Sequence, residues 1–412
     1  MLRFATAGSV DDGKSTLIGR LLFDSKSLFE DQVEALRHSS LKKGLDFLDL
    51  SLVTDGLKAE REQGITIDVA YRYFSTPKRK FIVADTPGHV QYTRNMVTGA
   101  STADAMLVLI DARKGVLEQS RRHAFIASML RVPHLLVCVN KMDLMDYDRK
   151  VFESIQREMN SFLNQLNFQS VQYIPISALD GDNVVDASQK MHWYEGASVL
   201  EMLEQLEGFE SAMKSGARLP VQAVIRPRPN ELDDHRHYAG LLTGDSLAIG
   251  DEIVVLPSGL QSKILRMSVG FDSCESAVPG QSVAIELADE IDVSRGDFIV
   301  AANAMPETLK EIDADICWLH SKPINAGARF LLRHTCVTLK CVLSGFDYRI
   351  DVNTGNQIQQ SNERLAMNEI AGVRLRVAQP LYADSYKLNR TMGSFVLIDE
   401  FTNETVAAGM IR

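Results

Sequence analysis

Two patterns of hydrophobic and polar residues divide the chain. Up to about residue 207, short β-branched or apolar runs alternate with amphipathic stretches. The pattern predicts strands at Arg3–Ala7, Phe81–Asp85, Ala105–Asp111, Leu135–Asn140 and Tyr173–Ile176, and helices over 14–23, 91–101, 119–131, 147–166 and 198–206. Because strands and helices alternate, we expect a mostly parallel, doubly wound sheet with ligands at the carboxyl ends of its strands.

The second pattern begins after Gly208, where helical periodicity fades and short alternating strands separated by turn residues take over. One block of strands starts near Pro220 and another near Ala304. Two all-β barrels are predicted, since closure removes exposed strand edges. The predicted organisation is an α/β domain over residues 1–207, a first barrel over 208–303 and a second over 304–412.

Composition fits a folded, water-soluble protein. Of 412 residues, 45% are hydrophobic and 24% are charged, and no apolar run approaches the roughly 20 residues that span a bilayer. The net charge of −10 provides no broad basic face for nucleic acid, although a local patch can still bind RNA. Five scattered cysteines favour reduced thiols. We expect a cytoplasmic protein without membrane or nucleic-acid partners.

The first candidate for chemistry follows the first predicted strand. Residues 8–15, Gly-Ser-Val-Asp-Asp-Gly-Lys-Ser, match the P-loop pattern G-x-x-x-x-G-K-[ST] and precede a predicted helix. Backbone N–H groups of such a loop surround phosphates, Lys14 reaches the β- and γ-oxygens, and the Ser15 hydroxyl binds Mg²⁺. The predicted nucleotide contacts of this segment are Gly8, Ser9, Val10, Asp11, Asp12, Gly13, Lys14, Ser15 and Thr16.

A second loop, Asp85-Thr-Pro-Gly88-His89, ends the next strongly apolar strand. A carboxylate at Asp85 can hold Mg²⁺ through water, and the Gly88 amide can meet the γ-phosphate. His89 is predicted to orient the attacking water. Val10 and Ile65 are a hypothetical apolar gate that keeps His89 away from this water until a signal arrives.

Between these loops, residues 60–68, Glu-Arg-Glu-Gln-Gly-Ile-Thr-Ile-Asp, occupy the region that senses the γ-phosphate. Thr66 is the candidate second protein ligand of Mg²⁺, ordered only while the γ-phosphate is present, as in a GTPase switch. With Ser15 and, through water, Asp85, it completes the predicted metal site. The predicted catalytic residues are Lys14, Thr66, Gly88 and His89.

The loops after the next two apolar strands predict the base. In Asn140-Lys-Met-Asp143, the Asp143 carboxylate can accept hydrogen bonds from guanine N1–H and N2–H₂, whereas adenine offers no such pair of donors on that edge. Lys141 can lie over the ring and Asn140 can brace the loop. Ser177-Ala178-Leu179 can add a backbone N–H toward guanine O6. The sequence therefore predicts GTP, with Mg²⁺ as the metal.

Together these motifs resemble the translation-factor class of GTPases, in which a GTPase domain precedes two β-barrels, as in elongation factor Tu. The closer resemblance is to the GTPase subunits, subunit 1, of bacterial heteromeric sulfate adenylyltransferases, and it covers essentially the full chain. It is carried by residues 8–22, 59–76, 91–96, 111–117 and 179–184. The resemblance implies an α/β P-loop GTPase domain followed by two all-β barrel domains.

The same resemblance implies a division of labour. A separate small adenylyltransferase subunit would transfer AMP from ATP to sulfate, while this subunit hydrolyses GTP to drive the reaction. The chain has no Ser-Gly-Gly-x-Asp-Ser pyrophosphate loop of its own. The alternatives are an elongation-factor-like carrier, which delivers aminoacyl-tRNA or a release factor to the ribosome and fits the GTPase motifs nearly as well, and a structural GTPase without coupled chemistry.

Two positions depart from the family pattern, and two other segments are predicted to have a structural role only. Val90 replaces a commonly acidic residue, and His237 replaces a usual glycine. Trp193-Tyr194 is predicted to be a packing anchor, and Arg121-Arg122-His123 a solvated helix face. Met1 leads into the first strand without a signal peptide, and this short start suggests a missing N-terminal extension.

Overall fold

The computed structural model describes residues 1–42, 48–53, 68–89, 92–208, 215–226, 236–351, 354–359 and 364–412. The chain forms two compact units, which are described separately. The first comprises Met1–Phe209 with Asp351–Asn356, and the second comprises Glu210–Ile350 with Gln357–Arg412. Within the described residues, every helix is too short or too polar to cross a lipid bilayer.

The first unit is built on a six-stranded sheet whose spatial order is β2-β3-β1-β4-β5-β6. Its strands are β1 (Leu2–Gly8), β2 (Ala70–Ser75), β3 (Lys80–Asp85), β4 (Ala105–Asp111), β5 (His134–Asn140) and β6 (Ser170–Pro175). All neighbouring pairs are parallel except β2 with β3. Strands β4 and β5 are buried along their whole length, as in a parallel sheet that is covered on both faces.

Helices connect these strands and cover the sheet. They are α1 (Lys14–Asp24), α2 (Glu30–Lys42), α3 (Thr93–Ala100), α4 (Glu118–Met129), α5 (Arg149–Leu163) and α6 (Val199–Gln205), with 3₁₀ turns at Leu50–Val53 and Met142–Met145. Leu17 and Leu21 of α1 and Leu203 of α6 are fully buried against β-strand residues. The predicted helices are confirmed to within a few residues, whereas α2 was not predicted.

The parallel register gathers the candidate loops at one edge of the sheet. Thr6 pairs with Asp85 across β1 and β3, and Gly8 pairs with Leu109 across β1 and β4. Asn140, the last residue of β5, pairs with Asp111 of β4. Because these strands end together, the loops that follow them meet at the carboxyl edge, where ligands bind in such folds.

The second unit begins with a closed barrel. Its strands are β7 (Arg218–Pro220), β8 (Ala223–Ile225), β9 (His237–Leu241), β10 (Leu247–Ala248), β11 (Glu252–Leu256), β12 (Leu260–Val269), β13 (Asp272–Ser273), β14 (Ser276–Ala277), β15 (Ser282–Leu287) and β16 (Phe298–Ala301). The main sheet runs β7-β16-β11-β12-β15-β9-β8. A bridge joins Arg218 of β7 to Thr243, two residues after β9, so the barrel closes on itself.

A second barrel follows within the same unit. Its strands are β17 (Glu307–Trp318), β18 (Ile324–Asn325), β19 (Arg329–His334), β20 (Val337–Ile350), β21 (Gln357–Gln359), β22 (Arg364–Leu365), β23 (Ile370–Ala383), β24 (Ser394–Ile398) and β25 (Thr405–Ile411). The sheet runs β19-β24-β25-β17-β23-β20-β21, and β19 also pairs with β20. This extra pairing closes the ring. The boundaries at 207/208 and 303/304 stay predictions.

A buried ion pair and an amide join the two barrels. Arg218, 2% exposed, donates from Nε and Nη2 to the two carboxylate oxygens of Asp384, each at 3.1 Å. The Asn389 amide nitrogen donates to Ser215 Oγ at 3.2 Å and to Thr243 Oγ1 at 3.1 Å. Buried polar groups are stable only when they are paired, and these groups meet that condition across the barrel junction.

Two side predictions have clear outcomes. Trp193 packs against Phe152 of α5, with ring centroids 5.4 Å apart, and its indole N–H donates to the Tyr147 carbonyl oxygen at 2.9 Å. The packing anchor is therefore confirmed. The prediction of a solvated face at 121–123 is wrong for His123, which is only 2% exposed, because this side of α4 packs onto the sheet.

Candidate nucleotide-binding site

The P-loop joins β1 to α1 through residues in the left-handed conformation. Asp11 has φ 66° and Gly13 has φ 93°. A Cβ at position 13 would lie 2.3 Å from the side-chain nitrogen of Asn140, so glycine is required both for the conformation and for the space. Helix α1 then starts at Lys14, and its N-terminal end presents backbone N–H groups to an anion.

Lys14 is the buried cation of this loop. Its Nζ donates to the Gly8 carbonyl oxygen at 2.8 Å and to the Ser9 carbonyl oxygen at 3.1 Å. Burial lowers the pKa of Lys14, while the carboxylates of Asp85 and Asp12 act in the opposite direction. The ammonium group is thus held over the loop, as contact with phosphate oxygens requires. Ser15 and Thr16 follow it in the first turn of α1 and are half-buried.

Asp12 shapes the P-loop from within. One carboxylate oxygen accepts a hydrogen bond from the Ser9 N–H at 2.6 Å, and burial raises the pKa of Asp12. The other oxygen, Oδ1, and the Ser9 hydroxyl are buried without a hydrogen-bond partner in the described part of the chain. Such atoms are rare in folded proteins. Their position in this loop fits a polar ligand with hydrogen-bonding groups, as GTP and Mg²⁺ would supply.

Gly88 lies directly against the P-loop. A Cβ at this position would be 2.3 Å from the Gly8 carbonyl oxygen and 2.6 Å from Lys14 Nζ, so no other residue fits without movement. Asp85, 1% exposed, accepts a hydrogen bond from Thr6 Oγ1 at 3.3 Å. The structure therefore brings together the two loops that the sequence assigns to the γ-phosphate and the metal.

His89 is half-buried and lies beside Tyr92, with ring centroids 6.3 Å apart in an edge-to-face arrangement. Thr66, Ile65 and Val90 lie outside the described residues. The second Mg²⁺ ligand and the gate of Val10 and Ile65 therefore stay predictions.

Asn140 connects the P-loop to the predicted base-binding loop. Its side-chain nitrogen donates to the Asp12 carbonyl oxygen at 2.8 Å, and its side-chain oxygen accepts from the Ala178 N–H at 2.9 Å. Lys141 donates from Nζ to the Asp11 carbonyl oxygen. The bracing role predicted for Asn140 matches this arrangement.

Sequence reasoning missed Asp111, which terminates β4 next to Asn140. Lys141 Nζ lies 3.0 Å from its Oδ2, and Arg113 Nη2 lies 2.6 Å from the same oxygen. Burial acts to raise the pKa of Asp111, but the hydrogen bonds from Arg113 and Lys141 outweigh it and hold the pKa well below the usual range. The sequence feature that could have pointed to Asp111 is its position as an aspartate at the end of an otherwise apolar strand. Asp143 lies close by in the 3₁₀ turn and is half-buried.

The amides of Ser177, Ala178 and Leu179 differ in what they bind. Ser177 is fully buried, and its N–H donates to the Asp182 carbonyl oxygen at 3.2 Å. The Ala178 N–H is taken by Asn140. Among the residues that the structure describes, the Leu179 N–H has no acceptor, so it is the amide of this loop that is available to guanine O6.

His123 is the buried titratable group behind this site. Its Nε2 lies 2.9 Å from Gln119 Nε2, and its Nδ1 has no partner within the described ranges. Burial lowers the pKa of His123 to about 3, and the charges of Lys14 and Arg122 act in the same direction. The folded protein therefore keeps this imidazole neutral.

We expect acid to destabilise the fold through His123. An unfolded histidine takes up a proton near pH 6.5, whereas the folded one stays neutral down to about pH 3, so stability is lost progressively as pH falls from about 6.5. His123→Gln should therefore show a smaller drop in urea unfolding midpoint between about pH 7.5 and 5.5 than the parent. The exposed His192→Gln serves as control. An equal drop in H123Q and the parent would refute the prediction.

The barrels also carry open cavities. One of about 430 Å³ is lined in part by Asp251 and Glu252, and one of about 420 Å³ in part by His320. These three side chains have structural partners, since Asp251 accepts from the Ala248 N–H, Glu252 pairs with Lys263 and His320 Nε2 lies 3.3 Å from Glu404. The convergence of loops around Lys14 is the stronger candidate for chemistry.

Two family descriptions match the chain. The family described as Elongation factor Tu GTP binding domain matches residues 1–211, and GTP-eEF1A C-terminal domain-like matches residues 311–412. With the P-loop sheet and the two closed barrels, these matches confirm the predicted fold class, an α/β P-loop GTPase domain followed by two β-barrels.

Curated relatives align with the whole chain. The bifunctional enzyme CysN/CysC of Mycobacterium tuberculosis is 52% identical over 412 residues, covering 100% of this chain and 67% of that protein. Sulfate adenylyltransferase subunit 1 of Saccharophagus degradans is 48% identical and covers 100% of this chain and 86% of its own length. Among solved structures, Sup35 complexed with GDP covers 100% of this chain and 93% of its own, at 21% identity and a TM-score of 0.45.

Proposed function

This chain belongs to the family of sulfate adenylyltransferase GTPase subunits, subunit 1, and on that premise we propose that it hydrolyses GTP to drive ATP + sulfate → adenylyl sulfate + pyrophosphate. Adenylyl transfer takes place in a separate small subunit, with which this chain forms a cytoplasmic hetero-oligomer. Residues 1–207 are the GTPase domain, and residues 208–303 and 304–412 are the two barrels.

The observation that carries the proposal is the meeting of two loops, the P-loop and the Gly88 loop, at the buried Lys14. Its Nζ donates to the carbonyl oxygens of Gly8 and Ser9. Gly88 lies so close that a Cβ there would be 2.3 Å from the Gly8 carbonyl oxygen and 2.6 Å from Lys14 Nζ. A γ-phosphate held there meets one cation, the N-terminal end of a helix and the Gly88 backbone. Such preorganised groups stabilise the charge that develops during phosphoryl transfer.

Other residues of the site recognise the base, orient the attacking water and hold the metal. Asp143 selects guanine through its carboxylate, the Leu179 N–H donates to O6, and Asn140 keeps both loops in register. His89 orients the water that attacks the γ-phosphate. Ser15, Thr66 and, through water, Asp85 would hold Mg²⁺, which would supply positive charge to the β- and γ-oxygens of the nucleotide.

Coupling requires that the two reactions influence each other. If sulfate-side ligands bind preferentially to the switch state that hydrolyses GTP, they raise the population of that state, and GTP raises their affinity in return, because binding linkage is reciprocal. We therefore expect ATP plus sulfate to accelerate GTP hydrolysis in the complex of this chain with its small subunit. GTP should likewise raise pyrophosphate release from ATP and sulfate.

The coupling prediction is tested with the copurified complex and with its His89→Ala variant. Loss of a group that orients the attacking water lowers GTP turnover by about 10²–10⁴-fold, and GTP-dependent pyrophosphate release should fall in parallel while GDP affinity stays unchanged. The exposed His192→Ala is the control. GTP hydrolysis that ignores both ATP and sulfate would refute the proposal, and protection of aminoacyl-tRNA by the chain would favour a carrier function.

A further inference from the structure

Arg20, in the middle of α1, reaches across to the base-binding loop. Its Nε donates to the Ala178 carbonyl oxygen at 3.3 Å, and its Nη2 donates to the Leu179 carbonyl oxygen. The remaining terminal nitrogen, Nη1, lies 3.5 Å from Asp24 Oδ1, one turn along the helix. The side chain of Arg20 is 17% exposed. The planar guanidinium is thus fixed on two successive carbonyl groups of one loop.

The loop is shaped around this side chain. Gly181 turns the chain with φ 91°, and a Cβ built on it would lie 3.6 Å from Arg20 Cδ and 3.5 Å from Asp24 Oδ2. From another direction, Lys190 Nζ contacts Asp180 at 2.9 Å. Arg20 therefore belongs to the support of residues 177–181 and not to the solvated surface of α1.

The Ala178 carbonyl oxygen and the Leu179 N–H belong to the same peptide group. In a trans peptide these two bonds point in opposite directions. A donor that fixes the carbonyl oxygen therefore also fixes the direction of the N–H, on the side away from that donor. The Leu179 N–H is the loop amide without an acceptor in the described part of the protein.

We propose that Arg20 is a positioning residue that aims the Leu179 N–H at guanine O6 by holding the opposite end of the same peptide group. Arg20 lies on the helix that starts at the P-loop. The position of the Leu179 N–H is therefore fixed relative to the helix that binds the phosphates. The inference rests on the proposed guanine nucleotide and adds a determinant outside the sequence motifs that contact it.

The test compares GDP with 6-thio-GDP, in which a weakly accepting sulfur replaces O6. Arg20→Ala should weaken GDP binding about tenfold, which corresponds to one hydrogen bond, and should weaken 6-thio-GDP binding by less than about threefold. Arg20→Lys, which keeps a positive charge and a single donor nitrogen, should recover part of the GDP affinity. Arg149→Ala, which removes an exposed i,i+4 pair with Glu153, should change neither affinity.

If Arg20→Ala weakens the binding of both nucleotides equally, the substitution has loosened the fold in general and the proposal is overturned. Unchanged GDP binding would also overturn it. A urea unfolding midpoint measured for each variant identifies any variant that is globally destabilised, and Arg20→Lys then carries the comparison. If the parent protein binds no GDP, the nucleotide assignment itself fails. If the parent binds GDP but Arg20→Ala weakens GDP and 6-thio-GDP binding equally, only the role of Arg20 is refuted.

Discussion

Replacing Asp143 by asparagine is expected to reduce GTP affinity by roughly 100-fold and to admit XTP. Guanine offers two donors, N1–H and N2–H₂, and a carboxylate accepts from both, whereas asparagine has one acceptor and one donor group. Hydrogen bonds to charged groups contribute about 1.5–3 kcal/mol, and about 1.4 kcal/mol corresponds to tenfold in affinity. Xanthine carries an oxygen in place of N2, so its N1–H and O2 match the asparagine amide.

The D143N prediction is checked by competition binding of GTP and XTP to the parent protein and the variant. Asp146→Asn is the matched control, because Asp146 caps the same 3₁₀ turn and is exposed. We expect that control to keep the GTP preference of the parent. A D143N variant with an unchanged ratio of GTP to XTP affinity would remove Asp143 from the base site.

Replacing Asp384 by asparagine is expected to lower the free energy of unfolding of the second unit by about 3–5 kcal/mol, since it leaves the guanidinium of Arg218 without its charge partner. Arg218 and Asp384 are 2% and 6% exposed, so water cannot replace the lost carboxylate. Urea unfolding followed by the fluorescence of Trp318, in a Trp193→Phe background, reports on the barrels because these are the two tryptophans of the chain.

Glu311→Gln provides the control for the ion pair. Glu311 pairs with Arg376 at 2.9 Å, but both side chains are about 70% exposed, and such pairs contribute about 0–1 kcal/mol. If D384N and E311Q shift the unfolding curve equally, burial does not govern the strength of the Arg218–Asp384 pair. Replacing both Arg218 and Asp384 by apolar residues should be less destabilising than D384N, since no charge is then left unpaired.

The parts of the fold that sequence predicts well are those whose periodicity reflects burial. Strands β4 and β5 are apolar throughout because both faces of the sheet are covered. Strand β2 was missed because it lies at the edge of the sheet and exposes Tyr71 and Tyr73. Helix α2 was missed because most of its residues face solvent, so its hydrophobic spacing is weak.

In the candidate site, too, the residues that sequence predicts are those that a local pattern marks. The positions of Lys14, Gly88, Asn140 and Asp143 at the carboxyl edge of the sheet were predictable, because short motifs place these residues within a few residues of a strand end. Arg20 was not, since its contacts lie 158 and 159 positions away in sequence and no local pattern records such a distance. His123 was assigned to the wrong environment because a charged neighbour in sequence does not decide which side of a helix meets the sheet.

The side chain of Asn140 has a consequence for how this protein can be divided. Its amide group forms hydrogen bonds with the P-loop on one side and with the Ala178 N–H on the other, across 128 and 38 positions of sequence. The phosphate-binding segment therefore depends for its shape on residues encoded more than a hundred codons later. A fragment that ends before Asn140 would keep every residue of the P-loop and lose the support that gives it its form, so this motif cannot be transplanted as a self-contained part.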